Sequence, residues 1–227
     1  MNDVLVDKWN DSYDRFENHI LYPKEEVVKF LSRDVKRNLG NGKFYDILKP
    51  GSIGMIRGLD YGCGIGRITM LMNEFNIESN GVDISESAIK KAKKLFPSIR
   101  KNFSVVDGLS LPFSDSYFDI SICESVIDSM YFKTAKKVIN ELDRVTSKLT
   151  FISFISGDDS KHFREFSGEE IVSTDHEKDT IQCWYNWSKI NELIDGTNYK
   201  IKSGSLITEE SLTRPYRYGR YYLVLSK

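Results

Sequence analysis

Short apolar stretches alternate with longer amphipathic segments through the middle of this chain. The short stretches have the length and apolar content of buried strands. Between them lie segments with apolar residues at helical spacing. One of these begins after Ser85, a good helix N-cap, and stops at Pro97. The alternation predicts a parallel sheet covered by helices on both faces, with its first four strands near residues 55–60, 79–83, 102–106 and 118–123.

The same pattern extends toward both ends of the chain. Pro23 can begin a helix whose apolar stripe continues to Val35, and we expect Gly40-Asn41-Gly42 to end that helix. After the fourth strand, the spacing predicts a further helix over 135–145 and a buried strand over 149–155. The last third predicts a short helix near 187–194 and strands that begin at Tyr199 and Tyr221.

A glycine-rich loop, Asp60-Tyr61-Gly62-Cys63-Gly64-Ile65-Gly66-Arg67, joins the first strand to its helix. Glycines leave the main chain bare, so a ligand can lie against it, and the following helix offers unpaired N–H groups. The dinucleotide fingerprint G-x-G-x-x-G fails here, because Arg67 stands where its third glycine would be. A tight strand–helix turn without a ligand is the alternative.

Acidic residues end the next two strands. Asp83 follows Asp60 by 23 positions, the interval and location expected of a carboxylate that binds a ribose diol. Asp107 ends the third strand, and Cys123 ends the fourth. Each acid alone is compatible with an ordinary exposed strand end. Their order and spacing favour a nucleoside site at the carboxyl edge of the sheet.

The pattern D-x-G-x-G-x-G over Asp60–Gly66 resembles motif I of the class I, Rossmann-like S-adenosylmethionine (SAM)-dependent methyltransferases. The stretch from Asp107 through Leu111-Pro112-Phe113 to Phe118-Asp119 resembles the same family. The resemblance implies a three-layer α/β sandwich with a seven-stranded, mostly parallel sheet. Its seventh strand would run antiparallel between the fifth and sixth. It also implies SAM as cofactor and S-adenosylhomocysteine (SAH) as product, and it assigns the adenine amino group to Asp107. The expected cofactor-binding residues are Asp60, Gly62, Gly64, Gly66, Arg67, Asp83, Ile84, Asp107, Gly108, Leu109, Cys123 and Tyr22.

We expect a single methyltransferase domain over residues 1–227. Residues 1–45 would form an N-terminal lid or helical segment, which holds Trp9 and Tyr22, and 52–155 the SAM-binding core. A polar stretch over 156–186 is too long for a plain connection and is expected to bind substrate. Residues 187–227 would supply the last helix and two strands.

A general base is expected outside the sheet, in the segments that vary around it. His176, between Asp175 and Glu177, is the leading candidate because neighbouring acids can orient its ring. His162 and His19 are weaker candidates, and the three histidines lack the spacing of a metal site. Asp128 is a further alternative, although a solvated acid at a helix start is the favoured interpretation. The (Asp/Asn)-Pro-Pro-aromatic signature of adenine N-methyltransferases is absent from the sequence.

Composition and charge limit the classes of partner expected for the chain. The chain has 227 residues, a formal net charge of -1 and a pI near 6.3, which argues against a broad nucleic-acid-binding face. No apolar run is long enough to span a membrane, no signal peptide is predicted, and three cysteines fit a reduced, cytoplasmic protein. The basic segment Arg214–Arg220 offers either an anion-binding surface or arginines paired with nearby acids.

These observations predict methyl transfer from SAM to a small-molecule acceptor, with O-methylation of a sugar or other polar metabolite as the leading expectation. An RNA or tRNA methyltransferase is the first alternative. A non-catalytic, SAM-binding partner subunit is the second. The sequence leaves the oligomeric state open.

Overall fold

A computed structural model describes residues 3–51, 54–159, 162 and 165–227. The described residues contain six α-helices: α1 (Asp3–Asp14), α2 (Glu25–Phe30), α3 (Arg67–Glu74), α4 (Glu86–Leu95), α5 (Phe132–Val145) and α6 (Trp187–Ile194). Their strands are β1 (Lys36–Gly40), β2 (Lys43–Asp46), β3 (Arg57–Tyr61), β4 (Glu78–Asp83), β5 (Phe103–Val105), β6 (Phe118–Cys123), β7 (Thr146–Ile155), β8 (Glu169–Ile171), β9 (Ile181–Cys183), β10 (Lys200–Glu210) and β11 (Arg217–Ser226).

Seven of the strands form one sheet in the order β10-β11-β7-β6-β3-β4-β5. Neighbours from β7 to β5 run parallel, whereas β11 lies between β10 and β7 and is antiparallel to both. The predicted seven-stranded sheet with an inserted antiparallel last strand is therefore confirmed. Parallel pairing aligns the carboxyl ends of β3, β4 and β6 at one edge of the sheet.

Helices cover both faces of this sheet, and β6 at its centre is buried along its whole length. On one face, α5 and α6 pack on a cluster that includes Phe118, Ile152 and Leu223. On the other, α2 and α3 pack on Ile120, Ile122 and Phe151. A smaller cluster joins α4 to Phe103 of β5. Burial of these faces fixes the sheet edge on which the site is built.

The N-terminal part differs from the sequence prediction. The helix that follows Pro23 ends at Val35 after a π-helical turn, Leu31–Val35, and the chain continues into the β1–β2 hairpin. Gly40-Asn41-Gly42 forms the hairpin turn, with φ angles of 83°, 49° and 71°. The prediction that these residues end a helix was wrong, because residues that favour positive φ serve tight hairpins as well as helix ends.

Within the described ranges, no helix combines the length and apolar character needed to cross a membrane.

Candidate functional site

The glycine loop connects β3 to α3 with three left-handed backbone positions. Gly62, Gly64 and Gly66 have φ angles of 71°, 53° and 91°. A Cβ on Gly62 would lie 2.4 Å from a methyl carbon of Val126, and one on Gly64 would lie 2.6 Å from the Tyr13 hydroxyl. Other parts of the chain thus approach bare main chain at both positions. A side chain at either of these two positions would collide with those groups, so both positions require glycine.

Gly66 has a different role from the other two glycines. A Cβ there would lie 2.6 Å from the Phe103 ring and 3.3 Å from Cβ of Ala92. It allows the start of α3 to pack closely on α4 and β5, and it lines neither cavity described below. The structure thus gives Gly66 a packing role, and its predicted contact with the cofactor stays a prediction.

Asp60 also acts on the fold rather than on the cavities. It is 1% exposed, and its Oδ2 accepts hydrogen bonds from the backbone N–H (2.8 Å) and the hydroxyl (2.7 Å) of Thr69 in the first turn of α3. Burial raises the pKa of this carboxyl to about 7, against the opposing effect of both hydrogen bonds. The enclosed carboxylate thus serves the start of α3, and its predicted cofactor contact stays a prediction.

Asp83 ties the tip of β4 to the glycine loop. Its Oδ2 accepts the backbone N–H of Gly64 at 2.8 Å, and its Oδ1 accepts that of Ser85 at 2.9 Å. Burial raises the pKa of Asp83, while these N–H groups favour its charged form. The carboxylate lies in the wall of a cavity, as do the predicted residues Ile84 and Gly108.

Two adjoining cavities open at this edge of the sheet. The first, of about 90 Å³, is lined mainly by apolar groups around Asp83, including Val82, Val106 and Met130. The second, of about 360 Å³, is lined by Gly62, Gly64, Arg67 and a set of charged side chains. Five residues line both cavities and mark their junction: Trp9, Tyr13, Gly62, Ser125 and Ser129.

A buried carboxylate organises the charges of the second cavity. Glu124 follows β6 directly, and its two oxygens accept hydrogen bonds from Lys24 Nζ (2.6 Å) and Arg67 Nη2 (2.7 Å). Burial on its own would raise the pKa of Glu124, but Lys24, Arg67 and Arg220 outweigh it and lower the pKa to about 2. The sequence analysis missed Glu124, Lys24 and Arg220 as site residues, since only the fold brings them together.

Asp128 forms a second buried ion pair in the same cavity. It is 1% exposed, accepts Arg220 Nη1 at 2.7 Å and accepts the backbone N–H of Ile155 at 2.9 Å. The expected solvated acid is therefore wrong. Strand β11 pairs Arg220 with Ile155 at the end of β7. This pairing places Arg220 beside Asp128, although the two are far apart in sequence.

Four further predicted cofactor residues line neither cavity. Cys123 is completely buried in the core, and Tyr22 is 85% exposed. Asp107 is exposed, and its Oδ1 accepts the backbone N–H groups of Leu109 and Ser110, both at 2.8 Å, which lowers its pKa. It closes a turn that includes Leu109. The cofactor contacts of Cys123, Tyr22, Asp107 and Leu109 stay predictions.

The predicted base His176 lies at the rim of the second cavity. Its side chain is 62% exposed, and Nε2 is 3.8 Å from the Glu177 carboxylate. Its catalytic role stays a prediction. His162 lies outside both cavities; its ring bonds to Asp159 at 3.0 Å and stacks on Phe166 with centroids 3.9 Å apart.

Helix α1 covers the junction of the two cavities. Trp9 and Tyr13 face it, and Asn10 Oδ1 accepts the Ser85 hydroxyl at 2.7 Å. Two contacts tie this end of the chain to the segment between β8 and β9. One is the Lys8–Asp179 ion pair, at 2.8 Å, and the other is the hydrogen bond from the backbone N–H of Glu177 to Glu17, at 3.0 Å.

A search of solved structures finds proteins of the same fold. A SAM-dependent methyltransferase from Methanosarcina mazei is 19% identical, with 91% of this chain and 99% of that one aligned and a TM-score of 0.65. Magnesium protoporphyrin IX methyltransferase from Synechocystis PCC 6803, with bound SAH, is 15% identical over 100% of both chains, with a TM-score of 0.66. A SAM-dependent methyltransferase from Leishmania major is 11% identical over 98% of this chain and 82% of that one, with a TM-score of 0.62. At these identities the likeness shows the fold.

A family comparison covers the part of the chain that holds the glycine loop and most of the residues that line the two cavities. The model of the methyltransferase domain matches residues 55–211, which is most of the chain. The sheet order, the loop and this match agree, and the chain belongs to the class I, Rossmann-like family of SAM-dependent methyltransferases.

Proposed function

We propose that the protein transfers the methyl group of SAM to a hydroxyl group of a small polar molecule and releases SAH. One observation carries the proposal: an apolar cavity beside Asp83 joins a larger charged cavity at the bare glycine loop. The first matches the adenosine part of SAM in chemistry. The second offers room and polar groups for the amino-acid end and for an acceptor.

The residues present fit SAM. Asp83 is a buried carboxylate in the wall of the apolar cavity, where it would bind the ribose hydroxyls. Gly62 and Gly64 expose main chain toward the amino-acid end, and Trp9 offers an aromatic surface for a sulfonium, worth about 0.5–2 kcal/mol. Bound SAM supplies an electrophilic methyl carbon.

The chain's own contribution is orientation and exclusion of water. Helix α1 covers the junction, and its bonds to Ser85 and Asp179 hold it over the site. Alignment of two reacting groups in one enclosed site can lower a barrier by roughly 7–11 kcal/mol. The second cavity is polar along Lys24, Glu124 and Arg220, which suits an acceptor with hydroxyl groups.

The ion pairs made by arginines of the basic segment Arg214–Arg220 favour a small acceptor over RNA. Arg220 is buried against Asp128 at 2.7 Å, and Arg217 bonds to Asp158 at 2.9 Å. These arginines already pair with acidic residues of the same chain. The phosphates of an RNA would have to compete with those ion pairs. The similar Synechocystis enzyme, named for a porphyrin acceptor, agrees with a small-molecule substrate.

Transfer of a tritiated methyl group tests the proposal. The protein and labelled SAM are incubated separately with a low-molecular-weight metabolite extract, a sugar pool and total RNA. We expect label in a metabolite or sugar product. Label in RNA would replace the small acceptor by the nucleic-acid alternative. Calorimetric SAM binding without any transfer would instead indicate a non-catalytic SAM-binding subunit.

A further inference from the structure

We propose that Lys24 is the general base that takes the proton from the acceptor hydroxyl during methyl transfer. The inference rests on the proposed function and adds to it a catalytic residue and an acceptor class, an alcohol or phenol. Lys24 lies just before α2, and its side chain extends into the second cavity. Sequence alone gave no reason to select it among the many lysines of the chain.

Lys24 reaches the point where the two cavities meet. Its Nζ is 3.0 Å from the hydroxyl of Ser125, a residue that lines both cavities. A methyl donor in the first cavity and an acceptor in the second must approach each other at this junction. A base within hydrogen-bond reach of the junction meets the geometric requirement for proton removal.

The backbone at the junction is held in an unusual conformation. Ser125 has a φ of 57°, in the left-handed region that residues other than glycine rarely adopt. Its N–H donates to Ser153 Oγ at 3.0 Å, and its hydroxyl donates to Glu124 at 2.5 Å. Strain of this kind persists where surrounding bonds enforce it, and it is concentrated at functional sites. Here it fixes the hydroxyl that lies next to Lys24.

Burial and the charges around Lys24 make its ammonium group easier to deprotonate than that of an ordinary lysine. Burial and the neighbouring Arg220 lower the pKa of Lys24, against the opposing effects of Glu124 and Asp128. Arg67 also bonds to Glu124, at 2.7 Å, so this carboxylate keeps a cationic partner when Lys24 is neutral. The titratable and charged groups that line this cavity with Lys24 are Tyr13, Cys63, Arg67, Glu124, Asp128, His176, Glu177, Tyr218 and Arg220.

Other residues of the cavity are poorer bases. Glu124 accepts hydrogen bonds on both carboxylate oxygens, from Lys24 and Arg67, and Arg67 remains beside it when Lys24 is neutral. The carboxylate of Asp128 is engaged by Arg220 and the Ile155 N–H. His176 stands at the solvent-exposed rim.

The step balances as a substitution at carbon. An oxygen lone pair of the acceptor forms the new carbon–oxygen bond, and the carbon–sulfur bond breaks with its electron pair left on sulfur. The hydroxyl proton passes to the neutral amine of Lys24, which becomes an ammonium. The products are the methyl ether and SAH, and solvent later removes the proton from Lys24.

The first test measures the proton affinity of Lys24 without any acceptor. Protein labelled with ¹³C at lysine Cε is titrated by NMR, and the Lys24 signal is assigned from its loss in Lys24→Arg. We expect its midpoint below the ordinary lysine value of about 10.4. A Lys24 midpoint at or above that ordinary value would overturn the proposal.

The second test separates a base from a positive charge. Lys24→Arg keeps a cation beside Glu124 but cannot lose its proton, and Lys24→Met removes the charge. With the metabolite pool that accepts tritiated methyl as substrate, both variants should lose about 100- to 10,000-fold in rate and the rise of rate with pH. SAM affinity by calorimetry should persist, and Lys29→Met is the matched control with an unchanged rate.

Three results would contradict the proposal. Lys24→Arg with a rate near wild type would show that only the charge matters. His176→Gln that abolishes the rise of rate with pH would assign the base to His176. Wild-type SAM binding without transfer to any acceptor would refute the proposed function and this inference together, whereas a lysine result alone leaves the proposed function intact.

Discussion

Three buried carboxylates of this site differ in what surrounds them. Asp83 bonds to backbone N–H groups in a cavity wall, Asp60 bonds to Thr69, and Glu124 lies among three cations. Burial raises the pKa of the first two, whereas cations lower that of the third. Similar chemistry therefore gives a group in a cavity wall, a structural group and a charge-organising group, according to the partners that the fold supplies.

Replacement of Asp83 tests the assignment of the ribose. Asp83→Asn keeps the size of the side chain but removes the charge that strengthens bonds to ribose hydroxyls, each worth roughly 1.5–3 kcal/mol. We expect SAM and SAH affinity to fall at least about tenfold in calorimetry. Glu86→Gln, at an exposed acid of the neighbouring helix, is the control. Unchanged affinity in Asp83→Asn would remove the ribose assignment.

Asp60 makes stability depend on pH. Its raised pKa, about 7, means that the folded chain holds the proton to higher pH than the unfolded chain does. Its contribution to stability is therefore full below the unfolded value, about 3.9, and is lost as the pH rises through about 7. Asp60→Asn keeps an acceptor oxygen for Thr69. Urea unfolding at pH 5 and pH 8 should show a smaller loss of stability in the variant than in wild type; equal losses would contradict the assignment.

At the scale of elements, sequence patterns located the core strands and missed the hairpin. The observed β6 coincides with the predicted strand over 118–123, and Ser85 caps α4 by accepting the N–H of Ala88 at 3.1 Å. These elements follow local rules of burial and capping, so sequence suffices for them. The β1–β2 hairpin and the Asp128–Arg220 pair did not follow from sequence. A turn signal serves either a helix end or a hairpin, and an ion pair across the sheet needs the fold.

The glycine loop allows a prediction on stability. Gly66→Ala would put a methyl group 2.6 Å from the Phe103 ring at a φ of 91°, and we expect a loss of about 2–5 kcal/mol from strain and overpacking. Gly42→Ala, at a φ of 71° in the β1–β2 turn, meets no atom within 4 Å. It should cost only about 1–2 kcal/mol. Denaturant unfolding measures both, and equal losses would contradict the packing role of Gly66.

Helix α1 should respond to the cofactor. Because Trp9 and Tyr13 line the junction of the cavities, bound SAH would add contacts to α1 and slow the opening of its backbone hydrogen bonds. Hydrogen–deuterium exchange should show protection of residues 3–14 on addition of SAH, with the distant β1–β2 hairpin unchanged. Exchange in α1 that is indifferent to SAH would show that it does not cover the ligand.

At the scale of the molecule, the parallel sheet brings residues of distant segments to one edge. The sequence predicted the edge, the glycine loop, Asp83, Ile84, Gly108 and Arg67, and the structure places all of these around the two cavities. It did not predict the second cavity. The charged side chains of that cavity come from the residue before α2, the start of α3, the segment after β6, the β8–β9 connection and β11. The residues proposed to bind the cofactor lie in contiguous motifs that a sequence displays. The cavity proposed for the acceptor is assembled from single residues of separate elements.

The crystal structure of the complex with SAH tests the central claim most directly. We predict the adenosine in the apolar cavity, the ribose hydroxyls within hydrogen-bond distance of Asp83, and the amino-acid end along Gly62 and Gly64. SAH bound at another surface, or with its ribose away from Asp83, would contradict the account.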